Sequence, residues 1–337
     1  MISDMEINEN LSRYSDLAFS TSLVLLVVAL LMLTAELAGS RGRRAQARDN
    51  ERELLEVGSS VGSGSPPIGS AVPGRVVTPE KRPLGESLGR SGMLLVGVGT
   101  LSLLASVVLR GLATNRFPWG NMYEFVNVTV LFALLAGLVM LRRPALRPMW
   151  VFVLIPALVL MTVSVVWLYS AAAPVVPALQ SYWLPIHVSV VSLGSGVFLV
   201  AGVASLLFLL RLRFPGSGSD SSHWFVRMLG NLPDARTLDS IAYKATIFGF
   251  PIFGFGVVFG AIWAEAAWGR FWGWDPKETV SFIAWVVYAA YLHARATSGW
   301  RDTRAAWINV VGFLVTVFNL FFINMVVSGL HSYAGLN

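Results

Sequence analysis

Residues 17–38 read LAFSTSLVLLVVALLMLTAELA, an apolar run whose one charged residue is Glu36. A hydrocarbon core about 30 Å thick is crossed by a helix of about 20 apolar residues, so this run predicts a membrane span. Further runs of this kind follow, and 55% of the 337 residues are hydrophobic while 13% are charged. The sequence therefore predicts an all-α, polytopic membrane protein with eight spans. They are predicted at residues 17–38, 92–113, 122–141, 149–170, 187–210, 245–264, 279–297 and 306–328.

Basic residues predict on which side of the membrane each loop lies, because Lys and Arg accumulate in cytoplasmic loops. If the N-terminus is outside, the inner loops hold 20 of the 25 Lys and Arg residues. This distribution predicts that both termini lie outside. It also accounts for the net charge of +6 through anchoring in the lipid bilayer, so no nucleic-acid partner is expected. The first span follows an acidic stretch rather than a basic one, which is unlike a cleavable signal peptide.

Residues 39–91 differ in composition from the spans. They begin with the basic run RGRR at 41–44 and become rich in Gly, Ser and Pro between residues 58 and 83. Such a stretch buries too little apolar surface to offset its ordering entropy, so we predict a flexible cytoplasmic linker. The linker would divide the chain into an outer segment with the first helix, 1–38, and a seven-helix core, 92–337.

The most informative segment for function lies between the sixth and seventh predicted spans, where residues 263–278 read WAEAAWGRFWGWDPKE. Its last residues predict a helix start, with Asp275 as N-cap, Pro276 at the first position and Glu278 completing a capping box. The segment also carries four tryptophans, Trp263, Trp268, Trp272 and Trp274. A single tryptophan here would be explained by the aromatic belt at membrane interfaces.

Several tryptophans at this spacing, next to charged residues, favour an aromatic shelf with charges at its rim. Such a shelf suits a large, flat, apolar ligand with acidic edges, and a porphyrin with two propionates fits that description. Arg270 and Lys277 could pair with propionates or equally with lipid phosphates. Arg110 and Glu124 lie at predicted span ends, where snorkelling accounts for their charge.

The string WGRFWGWDPKE at 268–278 resembles the tryptophan-rich WWD signature of haem-handling cytochrome c assembly proteins. Within that superfamily the chain resembles the CcsA (ResC-type) family of the System II pathway. The supporting pieces are FPWGNMYE at 117–124, SYW at 181–183 followed by His187, and the segment around His331. The resemblance covers about residues 92–337. Asn121, Glu124 and Asp275 are further residues that we expect in the outer site.

Two of the four histidines, His187 and His331, are predicted to lie on the outer face together with the tryptophan segment. Two neutral imidazoles can ligate a haem iron axially, and this iron chemistry requires no cysteine. The alternative is that each is an ordinary interfacial histidine. The resemblance implies that histidines at these two positions are the outer axial ligands.

His293 lies 14 residues after Thr279 in the predicted seventh span. At ~1.5 Å per residue it is about 21 Å down the helix, in the inner half of the membrane. An ionisable residue inside a span is a functional candidate, although a hydrogen bond to a neighbouring helix would also explain it. The resemblance implies a haem ligand within the membrane, whose axial partner comes from a ResB-type subunit. His223, on an inner loop, is assigned no role.

The resemblance implies haem b as cargo, exported across the membrane and presented outside for covalent attachment to the CxxCH motif of apocytochrome c. The implied partners are a ResB-type (CcsB) membrane subunit, apocytochrome c and a thioredoxin-like thiol reductant, since this chain has 0 Cys. The chain would be part of a holocytochrome c synthase (haem lyase) complex. A non-catalytic haem chaperone or transporter, or a haem-handling subunit of the other assembly pathway, are the alternatives. A bacterial plasma membrane is the expected location, with the thylakoid membrane as the alternative.

Overall fold

The computed structural model describes residues 7–60, 84–175, 179–214 and 224–331. Within these ranges the chain forms helices and no strand, which confirms the predicted all-α class. Helices are the expected solution in a bilayer because each satisfies its own backbone hydrogen bonds. The helices are α1 (Glu9–Ser60), α2 (Leu84–Thr114), α3 (Met122–Met140), α4 (Met149–Trp167), α5 (Trp183–Arg213), α6 (Trp224–Leu229), α7 (Ala235–Trp268), α8 (Pro276–Ala296) and α9 (Thr303–Met325), with a short 3-10 turn at Pro144–Leu146.

Seven described helices are long and apolar enough to cross a membrane, namely α1 to α5, α7 and α9. They coincide with seven of the eight predicted spans. The remaining predicted span, 279–297, falls on the 21-residue α8, which contains Tyr, His and Arg among its apolar residues. The start of α8 contacts the end of α9 through Lys277 and Asn324. Within the described ranges, eight long helices thus pack side by side, while membrane crossing by α8 stays a prediction.

Both ends of the described chain lie at the same end of the bundle. The backbone N–H of Asn8 donates to the carbonyl of Ala113 at the end of α2 (3.0 Å), and His331 contacts Asp275 before α8. We call this the tryptophan end, because residues 263–275 lie there. The predicted topology places the tryptophan end outside the cell, and that orientation stays a prediction.

The boundaries of the predicted linker, 39–91, differ from those in the structure. Helix α1 continues past residue 38 to Ser60, and α2 begins at Leu84. The first difference has a local cause, since residues 43–56 are rich in Arg, Ala, Glu and Leu, which are strong helix formers, and contain no Gly or Pro. Residues 61–83, the centre of the predicted linker, lie outside the described residues.

Small residues set the closest helix contacts. Along α1 and α2, Ser22 donates to the carbonyl of Gly99 (2.7 Å) and Ser15 donates to that of Ser106 (2.8 Å). Residues 1–38, which we predicted as a segment apart from the core, thus include a helix packed against α2, and the three-part division stays a prediction. Helix α5 packs along α7, where glycines on α7 let the two backbones approach closely.

Candidate functional site

Two adjoining cavities at the tryptophan end share a wall that contains His187 and His331. His187, His331 and Trp263 line both cavities, together with Phe125 and Lys277. The first cavity continues past Trp268 and Trp272, and the second continues past Trp119 and Asn121. The structure thus brings together two histidines that are 144 positions apart in the sequence.

His187 lies in the second turn of α5, and its ring packs against α7. The imidazole stacks on Trp263, with ring centroids 5.8 Å apart and an interplanar angle of 27°. Its Nδ1 lies 2.8 Å from the carbonyl oxygen of Gly256. A carbonyl only accepts, so Nδ1 carries the proton and Nε2 carries the lone pair of the neutral ring. A Cβ added at Gly260 would lie 2.7 Å from this ring, so the glycine makes room for the imidazole.

His331 follows α9, and the N-cap of α8 holds it in place. Its Nδ1 donates to Asp275 Oδ2 (2.8 Å), and the backbone N–H of Leu330 donates to Asp275 Oδ1 (2.7 Å). Asp275 also caps α8 in a capping box with Glu278, which confirms the helix start predicted from the sequence. A carboxylate that accepts from Nδ1–H fixes the tautomer and orientation of the ring, as it does for many metal-binding histidines.

The charges of this pair suit a neutral imidazole. Burial lowers the pKa of His331 below its ordinary value, and the hydrogen bond to Asp275 opposes this shift without overcoming it. Burial raises the pKa of Asp275, but the hydrogen bonds from His331 and Leu330 outweigh it, so that pKa lies below its usual range. A neutral His331 beside an ionised Asp275 keeps the Nε2 lone pair that a metal ligand needs.

The predicted tryptophans divide between the cavity wall and its rim. Trp263 is 2% exposed, and the ring of Trp268 lies 5.3 Å from it and 5.6 Å from that of His331. Trp272 lines the first cavity. Trp274 lines neither cavity, is 69% exposed and packs edge-on against Trp272. Its φ of 57° is unusual for a residue other than glycine.

Asn121 and Glu124 occupy neighbouring positions with different surroundings. Asn121 lines the second cavity and caps α3, accepting from the backbone N–H of Glu124 (2.9 Å). Glu124 lines neither cavity. Its carboxylate accepts from Arg110 (3.1 Å) and Arg116 (2.8 Å), and from the backbone N–H of Gly120 (2.7 Å). The expectation that snorkelling accounts for Arg110 and Glu124 is wrong, because the two side chains are 2% and 1% exposed and pair with each other.

His293 lies in the last turn of α8, away from the tryptophan end. It is 17 residues after Pro276, or about 26 Å along the helix, and its side chain is exposed on the outside of the bundle. It therefore cannot share a ligand with His187 and His331 in this arrangement. His223 lies outside the described residues. Within the described ranges no group of three or more acidic or histidine side chains is arranged to hold a bare metal ion.

The roles of the two glycines that hold His187 were not predicted from the sequence. Gly256 supplies the carbonyl for His187, and Gly260 supplies space for its ring. Their spacing is the small-xxx-small pattern of closely packed membrane helices, which is visible in the sequence. Phe125 and Asn324 also line the site, but they come from α3 and α9, and no local signal connects them with the tryptophan segment.

Comparison with known proteins agrees with the resemblance. The profile of the family described as "Cytochrome C assembly protein" matches residues 119–331. The cytochrome c biogenesis protein CcsA of Synechococcus sp. (strain CC9902) is 35% identical over 264 residues, which cover 71% of this chain and 85% of the relative. CcsA of Chlamydomonas reinhardtii is 33% identical over 253 residues, covering 72% of this chain and 68% of the relative.

A solved structure has a similar fold. The cytochrome c haem lyase CcmF superposes with a TM-score of 0.61 at 16% sequence identity. The match covers 92% of this chain and 46% of that one, so the chain spans about half the length of CcmF. At this identity the likeness concerns the helical architecture.

Proposed function

The chain belongs to the cytochrome c assembly protein family, and on that premise we propose that it exports haem and presents it for attachment to apocytochrome c. Membership places the chain in cytochrome c maturation, as a multi-pass membrane protein. The finer proposal is that haem b is its cargo and that His187 and His331 ligate the iron at the tryptophan end.

The observation that carries this proposal is the shared tautomer of the two imidazoles. Each ring uses Nδ1–H in a 2.8 Å hydrogen bond, to Gly256 or to Asp275, so each neutral ring has its lone pair on Nε2. Both rings contact Trp263 within a cavity lined by apolar and aromatic side chains. Two imidazoles are the axial ligands that a bis-histidine haem requires, and an apolar, aromatic wall suits its flat macrocycle.

The proposed reaction is the addition of two thiols to the two vinyl groups of haem. Each sulfur bonds to one vinyl carbon and the thiol hydrogen passes to the other, so no atom is lost and no oxidant is consumed. The chain would supply binding and orientation, since the addition chemistry belongs to haem and thiols. The histidine of the CxxCH motif would replace one axial ligand, which helps to release the product. Because this chain has 0 Cys, a thioredoxin-like partner would keep the acceptor thiols reduced.

His293 belongs to a second proposed station. Its exposed position on α8, away from the outer histidines, supports ligation of haem together with a histidine of a ResB-type (CcsB) subunit packed on the outside of the bundle. A cargo from the cytoplasm would meet His293 first and the tryptophan end second, if that end is outside. We place the complex in a bacterial plasma membrane.

Absorption spectra and cytochrome yields of single variants test the outer site. The full chain, co-expressed with its ResB-type partner, is expected to show a low-spin bis-histidine haem spectrum. His187→Gly and His331→Gly should abolish holocytochrome c formation, and added imidazole should partly restore it. His223→Ala is the control and should leave yields unchanged. Normal cytochrome levels in both glycine variants would contradict the assignment of His187 and His331 as ligands of the haem iron.

A further inference from the structure

Lys277 is a cation in the shared wall of the two cavities. It lies in the first turn of α8 and lines both cavities beside His187 and His331. Its ammonium lies 5.4 Å from the centre of the Phe125 ring and donates to Oδ1 of Asn324. The amide of Asn324 is oriented by α9, because its Nδ2 donates to the carbonyls of Leu320 (2.6 Å) and Asn319 (3.3 Å). The ammonium is thus held in a fixed place.

Neither of these contacts neutralises the charge. An amide oxygen and an aromatic ring attract a cation but carry no net charge. Among the described residues no carboxylate lies within 4.0 Å of the ammonium. A cation enclosed by apolar walls without an anionic partner is costly, so the wall is suited to bind an anion.

The two nearest acids in the sequence are engaged elsewhere. Asp275 accepts from His331 and Leu330, as described above. Glu278 accepts from the backbone N–H groups of Gly273 (2.9 Å) and Asp275 (3.1 Å). Its other oxygen lies 3.9 Å from Arg270, whose side chain is 37% exposed. Glu278 also lines the first cavity, but one of its carboxylate oxygens already accepts from these backbone N–H groups, whereas Lys277 lines both cavities.

We propose that Lys277 binds a propionate carboxylate of haem, in an inference that rests on the proposed function. Its ammonium would form a charge-assisted hydrogen bond with the carboxylate. In haem b the two propionates share one edge of the macrocycle and the vinyl groups lie towards the other. Anchoring the propionate edge beside the two histidines therefore sets the direction in which the vinyl groups face. Lys277 would be a positioning residue for the attachment reaction, and Arg270 would not.

The test compares haem with its dimethyl ester, which keeps the ring and iron but has no carboxylate. Both ligands are titrated into the full, haem-depleted chain and followed by absorption. The wild type should bind haem about 10-fold more tightly than the ester, the scale of one charge-assisted contact. Lys277→Gln should lower haem affinity to that of the ester and leave ester binding unchanged. Lys277→Arg should retain the preference, and the control Arg270→Gln should match the wild type.

Three outcomes would overturn the proposal. In the first, the wild type would bind haem and its dimethyl ester equally. In the second, Lys277→Gln would weaken the binding of both ligands equally, as expected of a merely structural role. In the third, Lys277→Gln would reduce co-purified phosphatidylglycerol while the haem-to-ester preference stayed intact, which would assign the anion to a lipid headgroup. Failure of the proposed function looks different, because the wild type would then bind neither ligand with a bis-histidine spectrum.

Discussion

Two buried polar clusters lie at the same end of the bundle, and they differ in how their hydrogen bonds are directed. The Glu124 cluster is closed, since its carboxylate accepts from two arginines and a backbone N–H of the same chain. The histidine cluster is directed towards a cavity, because Gly256 and Asp275 fix Nδ1 of each ring and leave the ligand chemistry to Nε2. Burial alone therefore does not distinguish a structural group from a candidate ligand. What distinguishes them is that His187 and His331 line the cavities, whereas Glu124 lines neither.

The largest expected effect on stability comes from removing the carboxylate of the Glu124 cluster. Glu124→Gln should lower the free energy of unfolding by about 3 kcal/mol, because it removes the carboxylate paired with the mostly buried Arg116 and leaves the buried Arg110 with the more distant Asp16 (3.6 Å). Thermal unfolding in detergent, followed by tryptophan fluorescence, measures this loss. The folded fraction should keep the wild-type ratio of haem to protein. A stable variant that has lost haem would instead place Glu124 in the binding site, as first predicted.

The second prediction concerns Asp275, which acts both as a helix cap and as the support of His331. Asp275→Ala should lower haem affinity by about 10–100-fold, the usual effect of removing a group that orients a metal-binding histidine. The matched control is Asp234→Ala, because Asp234 also caps a helix, accepting from the backbone N–H of Thr237 (2.6 Å) at the start of α7. That variant should lose about 1 kcal/mol of stability and no haem affinity. An equal loss of haem affinity in both variants would show that Asp275 acts only as a helix cap.

Features that depend on neighbouring residues were predicted from the sequence, and contacts that join distant residues were not. Hydropathy located the spans, and the capping box located the start of α8, because both depend on residues that are near in the sequence. The pairing of His187 with Gly256, and of His331 with Asp275, joins residues 69 and 56 positions apart. No local pattern encodes such pairs. The ion pair of Glu124 with Arg110 was missed for the same reason, since Arg110 lies on another helix.

The third prediction concerns pH. Burial lowers the pKa of His331 in the folded protein below the ordinary histidine value of about 6.5. As the pH falls from about 6.5 towards this lower folded pKa, the unfolded chain binds a proton that the folded chain does not. The stability that the neutral ring contributes is therefore present above about 6.5 and is lost over this window. Haem affinity should therefore stay constant from pH 8 to about 6.5 and fall only below that. Absorption titrations across this range measure the onset. A decline that began above pH 6.5 would show that the ring is not held neutral by burial.

The smallest expected effect concerns Trp274 at the rim of the cavity, compared with Trp263 in the cavity wall. Trp274 is exposed and has a positive φ of 57°, a conformation that costs a non-glycine residue about 1 kcal/mol or more. Trp274→Gly and Trp274→Ala remove the same indole, but the glycine variant should be the more stable by about 1 kcal/mol. Both should lose less haem affinity than Trp263→Ala, because Trp263 contacts both histidines and Trp274 lines neither cavity. Equal stability of the two Trp274 variants would show that this backbone is unstrained. A haem loss as large as that of Trp263→Ala would move the ligand from the cavity wall to the rim.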